Sequence, residues 1–304
     1  MTPGATAARE AGTWVLGDLT VNRIGFGAMR LTGSGVFDRG APSDRSRSVA
    51  ALRRAIDLGV NHIDTAAFYF SRLRSANELI NRALAPYPDD LVITTKVGPG
   101  RDPSGEWLPW ATPDQLRGQV EENLRMLGLD VLNVVNLRVP GPGSIAEHFG
   151  ALEQLRAAGL IRHLGVSGVT LEQLAEAQAI APVVCVQNRF AVDAHLADSD
   201  DVLRICGDRG IAFVPYFAVA GAGRHRGWDA RDLPEVISVA SAHGVSPAQV
   251  RLAWTLQQGR HVLAIPGSSN PEHVTDNVGA GSLRLSDEEL ASLASVHAGG
   301  SVRG

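Results

Sequence analysis

Lysine is almost absent from this chain, cysteine and tyrosine are scarce, and neither sign of charge dominates. Cys185 and Cys206 are the two thiols in 304 residues, so a disulfide framework and a cysteine-based metal cluster are both excluded, and a reducing, cytoplasmic setting is expected. No uninterrupted apolar run reaches the ~18 residues that a membrane span needs. The segment from Met1 to Gly12 lacks the charged-then-apolar order of a secretory signal. With 28 basic against 32 acidic side chains and a formal charge of −4, no electrostatic surplus points to nucleic acid or to a membrane surface. The nine histidines are scattered without metal-ligand spacing, and no P-loop, H-E-x-x-H or EF-hand pattern occurs, so no metal is expected. The partner that remains is a small-molecule substrate. The oligomeric state is not legible.

What is present is ample apolar material: 44% of residues are hydrophobic and 20% charged, enough to bury a large core. Short β-rich apolar runs alternate with amphipathic stretches about every 30 residues, the rhythm of βαβ units in a parallel sheet. Eight strands are predicted, at Ile24 to Met29, Asn61 to Asp64, Leu91 to Lys96, Val131 to Leu137, His163 to Ser167, Val183 to Gln187, Ala212 to Tyr216 and Val262 to Ile265. Their near-continuous apolar character suits strands covered on both faces. Thr112-Pro113 and Ser246-Pro247 place a capping hydroxyl before a proline at a first helical position, and Ser144, Thr170 and Ser286 read as further caps. Trp14 to Val21, with Gly17-Asp18 at its centre, has the alternation and turn of a hairpin. The expected fold is α/β, a single (β/α)8 TIM barrel over 1–304 with an N-terminal β-hairpin closing its floor and extra C-terminal helices; 1–12 is expected to be flexible and 299–304 a tail. A dinucleotide-binding open sheet is disfavoured, because Gly25-Phe26-Gly27-Ala28-Met29-Arg30 lacks the third glycine of that fingerprint.

In a barrel of this kind chemistry gathers at the C-terminal ends of the strands. The ends of strands two, three and four deliver Asp64, Lys96 and Arg138, and Tyr69 follows five residues after Asp64. Of 28 basic residues Lys96 is the sole lysine, and Tyr69 is one of three tyrosines. A phenol whose free pKa is about 10 becomes a useful acid near neutrality when a neighbouring cation lowers that value, and a lysine held by a carboxylate is such a cation. A buried Asp64–Lys96 ion pair beneath an ordinary tyrosine is the alternative. The eighth strand continues as Ile265-Pro266-Gly267-Ser268-Ser269-Asn270-Pro271, a strand, turn and helix start of the kind that binds phosphate through turn amides. Tyr216 offers a flat face for a planar ring.

Gly59-Val60-Asn61-His62-Ile63-Asp64-Thr65 leading to Tyr69, Thr95-Lys96, Gly165-Val166-Ser167, Gln187-Asn188 and Ile265-Pro266-Gly267-Ser268-Ser269 together resemble the aldo-keto reductase superfamily. Gly27-Ala28-Met29, Gly35-Val36-Phe37, Trp107-Leu108-Pro109, Leu129-Asp130-Val131 and Val135-Asn136-Leu137-Arg138-Val139 are similar to its bacterial pyridoxal reductase (pyridoxine 4-dehydrogenase) branch. The resemblance implies NADPH-dependent reduction of a carbonyl, NADH not being excluded, with Tyr69 as proton donor and Lys96 and Asp64 tuning it. It also implies a cofactor site built from Gly27, Met29, Ser167, Gln187, Tyr216, Gly267, Ser268, Ser269, His273 and Asn277.

Four positions depart from the family pattern. Arg138 stands where the superfamily usually has His, either polarising a carbonyl, gripping an anionic group or pairing with Asp64. Gly168 replaces an Asn that would contact the nicotinamide carboxamide, His273 replaces an Arg often found at the 2′-phosphate, and Phe70-Ser71-Arg72-Leu73-Arg74 follows Tyr69 where a small residue is common. Substrate contacts are expected from Phe70, Trp107 and Trp110, and from the loop Gly221 to Trp228. Three functions stay open here: a reductase of a small aromatic or pyridoxal-like carbonyl, an enzyme of specialised metabolism acting on C=N or C=C bonds or without redox, and a cofactor-binding redox-sensing regulatory subunit.

Overall fold

The computed structural model describes residues 7–33, 43–196, 198–219, 233–299 and 301–302. The expected hairpin is present: β1 (Thr13–Leu16) pairs antiparallel with β2 (Leu19–Asn22) around Gly17, whose φ of 68° is one that glycine adopts without strain. A parallel sheet then runs through β3 (Phe26–Gly27), β4 (His62–Asp64), β5 (Val92–Val97), β6 (Leu132–Arg138), β7 (Ile161–Ser167), β8 (Val183–Gln187) and, after the short β9 (Phe190–Ala191) and β10 (Ala194–Leu196), β11 (Ala212–Phe213). Between these strands lie α1 (Arg45–Asp57), α2 (Ala76–Leu84), α3 (Leu116–Leu127), α4 (Ala146–Ala157), α5 (Leu171–Ile180) and α6 (Ser199–Asp208). α7 (Pro234–His243), α8 (Pro247–Leu256), α9 (Pro271–Gly279) and α10 (Asp287–Gly299) follow.

The barrel is closed by single bridges. Val262 pairs with Phe213 and Ala264 with Ile24, and the backbone bonds Leu263 N to Phe213 O (2.9 Å) and Gly25 N to Ala264 O (2.8 Å) stitch the eighth position between the seventh and the first. The predicted first and eighth strands are therefore shorter than expected. Ala28–Thr32 turns into a 3-10 helix directly after β3, and Pro266, with no N–H to donate, ends the eighth run. Tyr216, expected inside the seventh strand, lies past it and makes a lone bridge to Arg189.

Leu16 and Val21 of the hairpin pack with Val92, Val134, Cys185, Ala212 and Leu263, one inward residue from each of several strands, and so plug the N-terminal end. Burial pushes both cysteine thiols up to about 12, which leaves them inert. Part of the span expected to be a flexible start, Ala7–Ala11, is a 3-10 helix, tied by Ala8 N to Leu58 O (3.0 Å) because Ala8 is buried. Within the expected tail, β12 (Ser301–Val302) pairs in parallel with β10. The proline-led starts hold: Ser246 accepts from Gln249 N (3.3 Å), and Thr112 begins a 3-10 turn that runs into α3. Among the described residues no helix is long and apolar enough to cross a membrane, and no group of three or more potential ligand side chains could hold a metal ion.

Candidate active site

Parallel register carries the strand ends to one level. Lys96 lies beside Asn136, Arg138 beside Ser167, and Ser167 beside Gln187. Asp64 ends β4, and the chain folds back so that Tyr69 N donates to Ala66 O (3.0 Å) while Ala76 N, at the start of α2, donates to Tyr69 O (2.9 Å). The tyrosine is thus fixed through its own backbone.

At the centre is a buried ion pair. Lys96 Nζ donates to Asp64 Oδ2 at 2.6 Å and to the carbonyl of Thr65 at 3.0 Å, and both charged side chains are 5% exposed. Gln187 Nε2 donates to the other Asp64 oxygen at 2.8 Å. A buried pair without such extra bonds would be destabilising; here the carboxylate and the ammonium are each held by more than one partner. Lys96 Nζ also stands 4.9 Å from the centroid of the Tyr69 ring. Burial alone would discharge the lysine, but Asp64 and Tyr69 outweigh it and hold its pKa above the ordinary value. For Tyr69 the balance runs the other way from the expectation: burial raises the phenol pKa, and the Lys96 cation offsets only part of that rise.

Arg138 closes the opposite side. Its Nη1 donates to Ser167 Oγ (3.5 Å) and to Tyr216 OH (3.3 Å), and its guanidinium carbon sits 5.0 Å from the Tyr216 ring centre. It does not pair with Asp64, whose oxygens are taken by Lys96 and Gln187. Asp64, Tyr69, Lys96, Arg138, Ser167, Gln187 and Tyr216 line one cavity of about 290 Å3 at the open end of the barrel, together with Gly27, Met29 and Gly267. Phe217, also on its wall, has φ 66°, a left-handed conformation that costs about 1–3 kcal/mol in a non-glycine residue.

Several expected residues lie elsewhere. Ser268, Ser269, His273 and Asn277 do not line this cavity; they mark the turn before α9 and its first turns, where Ser268 Oγ lies 3.4 Å from His273 Nδ1 and Asn270 caps the helix. The glycine at 267 has a packing reason, since a Cβ there would collide with Gly27 O. Trp110 faces away from the cavity: its indole N–H donates to Arg138 O (3.0 Å) and its ring stacks on His148 at 3.7 Å. Phe70 is also off the wall, stacked against Arg101 at 4.6 Å. Gly35-Val36-Phe37 and the loop Gly221 to Trp228 fall outside the described residues.

Sequence reasoning passed over Phe68, which lines the cavity and meets Tyr69 edge-on at 5.2 Å. It also passed over the polar layer behind the ion pair. Thr65 Oγ1 donates to Asn77 (2.7 Å), Asn77 to Asn123 (2.9 Å) and Thr95 Oγ1 to Asn123 (2.5 Å), all of them buried. That network holds the residues next to Asp64 and Lys96 in place. Asparagines on the inner faces of two helices were the available signal.

The aldo/keto reductase family profile matches residues 23–298. The chain is 44% identical over 291 residues to pyridoxine 4-dehydrogenase of Escherichia coli (strain K12), covering 93% of this chain and 98% of the relative. It is 32% identical to methylglyoxal reductase YeaE of the same organism over 256 residues, 83% of this chain and 84% of that one. Among solved structures it is similar to an aldo-keto reductase from Klebsiella pneumoniae in complex with NADPH, with a TM-score of 0.75 and 31% identity over 91% of this chain and 92% of that one.

Proposed function

The chain belongs to the aldo/keto reductase family and is an NADP-dependent oxidoreductase, and from that premise we propose that it reduces the carbonyl of a small aromatic or pyridoxal-like aldehyde or ketone, with Tyr69 as proton donor. The single observation that carries this reading is the Tyr69–Lys96–Asp64 arrangement, a protonated phenol beside a fixed cation on the wall of a cavity.

The donor set fits a nicotinamide. Ser167 offers a hydroxyl and Gln187, with one of its two N–H groups on Asp64, keeps a carbonyl oxygen for an amide N–H, while Tyr216 presents a ring face. The amides at the start of α9, with Ser268 and His273, suit the phosphates of the adenosine half. NADPH, when bound, supplies hydride to the carbonyl carbon.

The chain's own residues handle the oxygen. Tyr69 OH donates its proton to that oxygen as negative charge develops, and the alcohol leaves. The raised phenol pKa keeps Tyr69 protonated before the reaction, and the adjacent Lys96 ammonium limits the cost of the tyrosinate formed. Arg138, with donors beyond its contacts to Ser167 and Tyr216, polarises the same oxygen or grips an anionic substituent. Phe68 and Trp107 supply an apolar aromatic wall.

A panel of aldehydes and ketones, followed at the absorbance band of reduced nicotinamide with NADPH and with NADH, tests the proposal. Turnover of aromatic aldehydes with a preference for NADPH is expected. Saturable cofactor binding without turnover of any carbonyl would favour the regulatory reading instead, and turnover of imines or enones alone would favour redirected chemistry.

A further inference from the structure

Beside the catalytic cavity, between α2 and α3, lies a second chamber of about 830 Å3 that opens to solvent, with the exposed Leu73 and Leu108 on its lining. Phe68, Lys96 and Pro99 line both spaces, Tyr69 and Trp107 only the first, and Phe70 and Arg101 only the second. Phe68 and Trp107 meet edge-on at 5.8 Å and so form a thin aromatic partition.

One side chain ties that partition together from the far side. Arg101 Nη1 donates to Phe70 O at 2.8 Å and to Phe68 O at 3.3 Å, and its Nε donates to Gly105 O at 2.9 Å. Its guanidinium lies 4.6 Å from the Phe70 ring centre and 5.6 Å from that of Trp107, between the two. The Arg101 and Trp107 backbones form an antiparallel bridge. A planar fork that reaches carbonyls on one loop while stacking on rings from both is a task a lysine cannot perform. Tyr69, which lies between the two residues whose carbonyls Arg101 holds, has backbone anchors of its own in Ala66 and Ala76.

We propose that Arg101 is a positioning residue that locks Phe68 and Trp107 as a wall between the two chambers, and that this wall sets the length of aromatic carbonyl compound the site accepts. The inference rests on the reductase reading for its substrate class. Short one-ring aldehydes fit in front of the wall, and two-ring aldehydes are rejected because Phe68 bars the larger chamber.

The test compares benzaldehyde with 4-phenylbenzaldehyde in the wild type, Arg101→Lys and Phe68→Ala. Binding is read by calorimetry without NADPH, and kcat and KM are measured with it. Phe68→Ala is expected to improve 4-phenylbenzaldehyde relative to benzaldehyde by about tenfold or more in both readouts, the usual scale for pocket-size discrimination. Arg101→Lys is expected to move the same ratio in the same direction, through KM, with kcat for a two-carbon aldehyde and the Kd for NADPH unchanged. A length preference within twofold of wild type in both variants overturns the proposal. So does an Arg101→Lys enzyme whose kcat and NADPH affinity fall together, since that is general loosening. If Arg101→Lys does not fold, Phe68→Ala alone decides whether the wall limits length. Wild-type protein that binds these aldehydes yet turns none over contradicts the reductase reading and leaves the binding comparison intact as the test of the wall.

Discussion

The Nη1 atom of Arg138 occupies the space that a Cβ on Gly168 would need. The guanidinium at the end of β6 is thus accommodated by the absence of a side chain just past the end of β7. Gly168 also adopts φ 71°, so an alanine there meets both backbone strain and the guanidinium. Gly168→Ala is expected to displace Arg138 and lower kcat about tenfold or more, less than the roughly 10² to 10³ that loss of an oxyanion donor outright costs, because the guanidinium is shifted and not removed. In an Arg138→Met background the same substitution should cost little further activity. A double-mutant cycle measures this, and additive losses would show that the two residues act separately.

Tyr69 is expected to keep its proton in the cofactor-free protein beyond the pH at which a free tyrosine ionises, because burial outweighs the Lys96 cation. The check is ultraviolet difference titration of the folded wild type against Tyr69→Phe. The extra chromophore should ionise above pH ~10; ionisation near neutrality would mean that the cation dominates.

His62 is fully buried beneath the site, bonded through Nε2 to Thr94 Oγ1 at 3.1 Å, and burial drops its pKa to about 4, with Lys96 adding to the fall and Asp64 opposing it. Its folded pKa lies below its unfolded value, so the unfolded chain binds the proton first. Stability is complete above pH ~6.5 and is lost progressively down to about 4, by up to about 3 kcal/mol from this group. Urea unfolding of wild type and His62→Gln across that window should show a shallower decline in the variant, even if the variant is less stable at pH 8. Parallel curves would remove His62 as the cause.

Much of this molecule is legible in its sequence because its strands are apolar runs and its helices start at marked caps. Asp64, Lys96 and Arg138 are legible as residues at the ends of strands, Ser167 and Gln187 only through the family resemblance, and parallel register places the ends of these strands side by side. Periodicity cannot show which way a loop side chain turns. Trp110 and Phe70 follow strand ends where substrate contacts are expected, yet one braces Arg138 O and the other stacks on Arg101. The bonds linking Thr65, Asn77 and Asn123 join helices and strands far apart in the chain, and no local pattern encodes them. The direction of the Tyr69 shift depends on how completely its ring is buried, 7% exposed, which spacing does not report.

In the proposed reaction Tyr69 gives a proton to a carbonyl oxygen beside Lys96. The most direct measurement is the single-turnover rate of NADPH oxidation with an aromatic aldehyde in wild type and Tyr69→Phe, alongside NADPH affinity by fluorescence titration. In Tyr69→Phe the rate is expected to be lower by about 10² to 10⁴ with cofactor affinity within a few-fold of wild type. A Tyr69→Phe enzyme that binds NADPH and reduces the aldehyde at near wild-type rate would contradict this role of Tyr69.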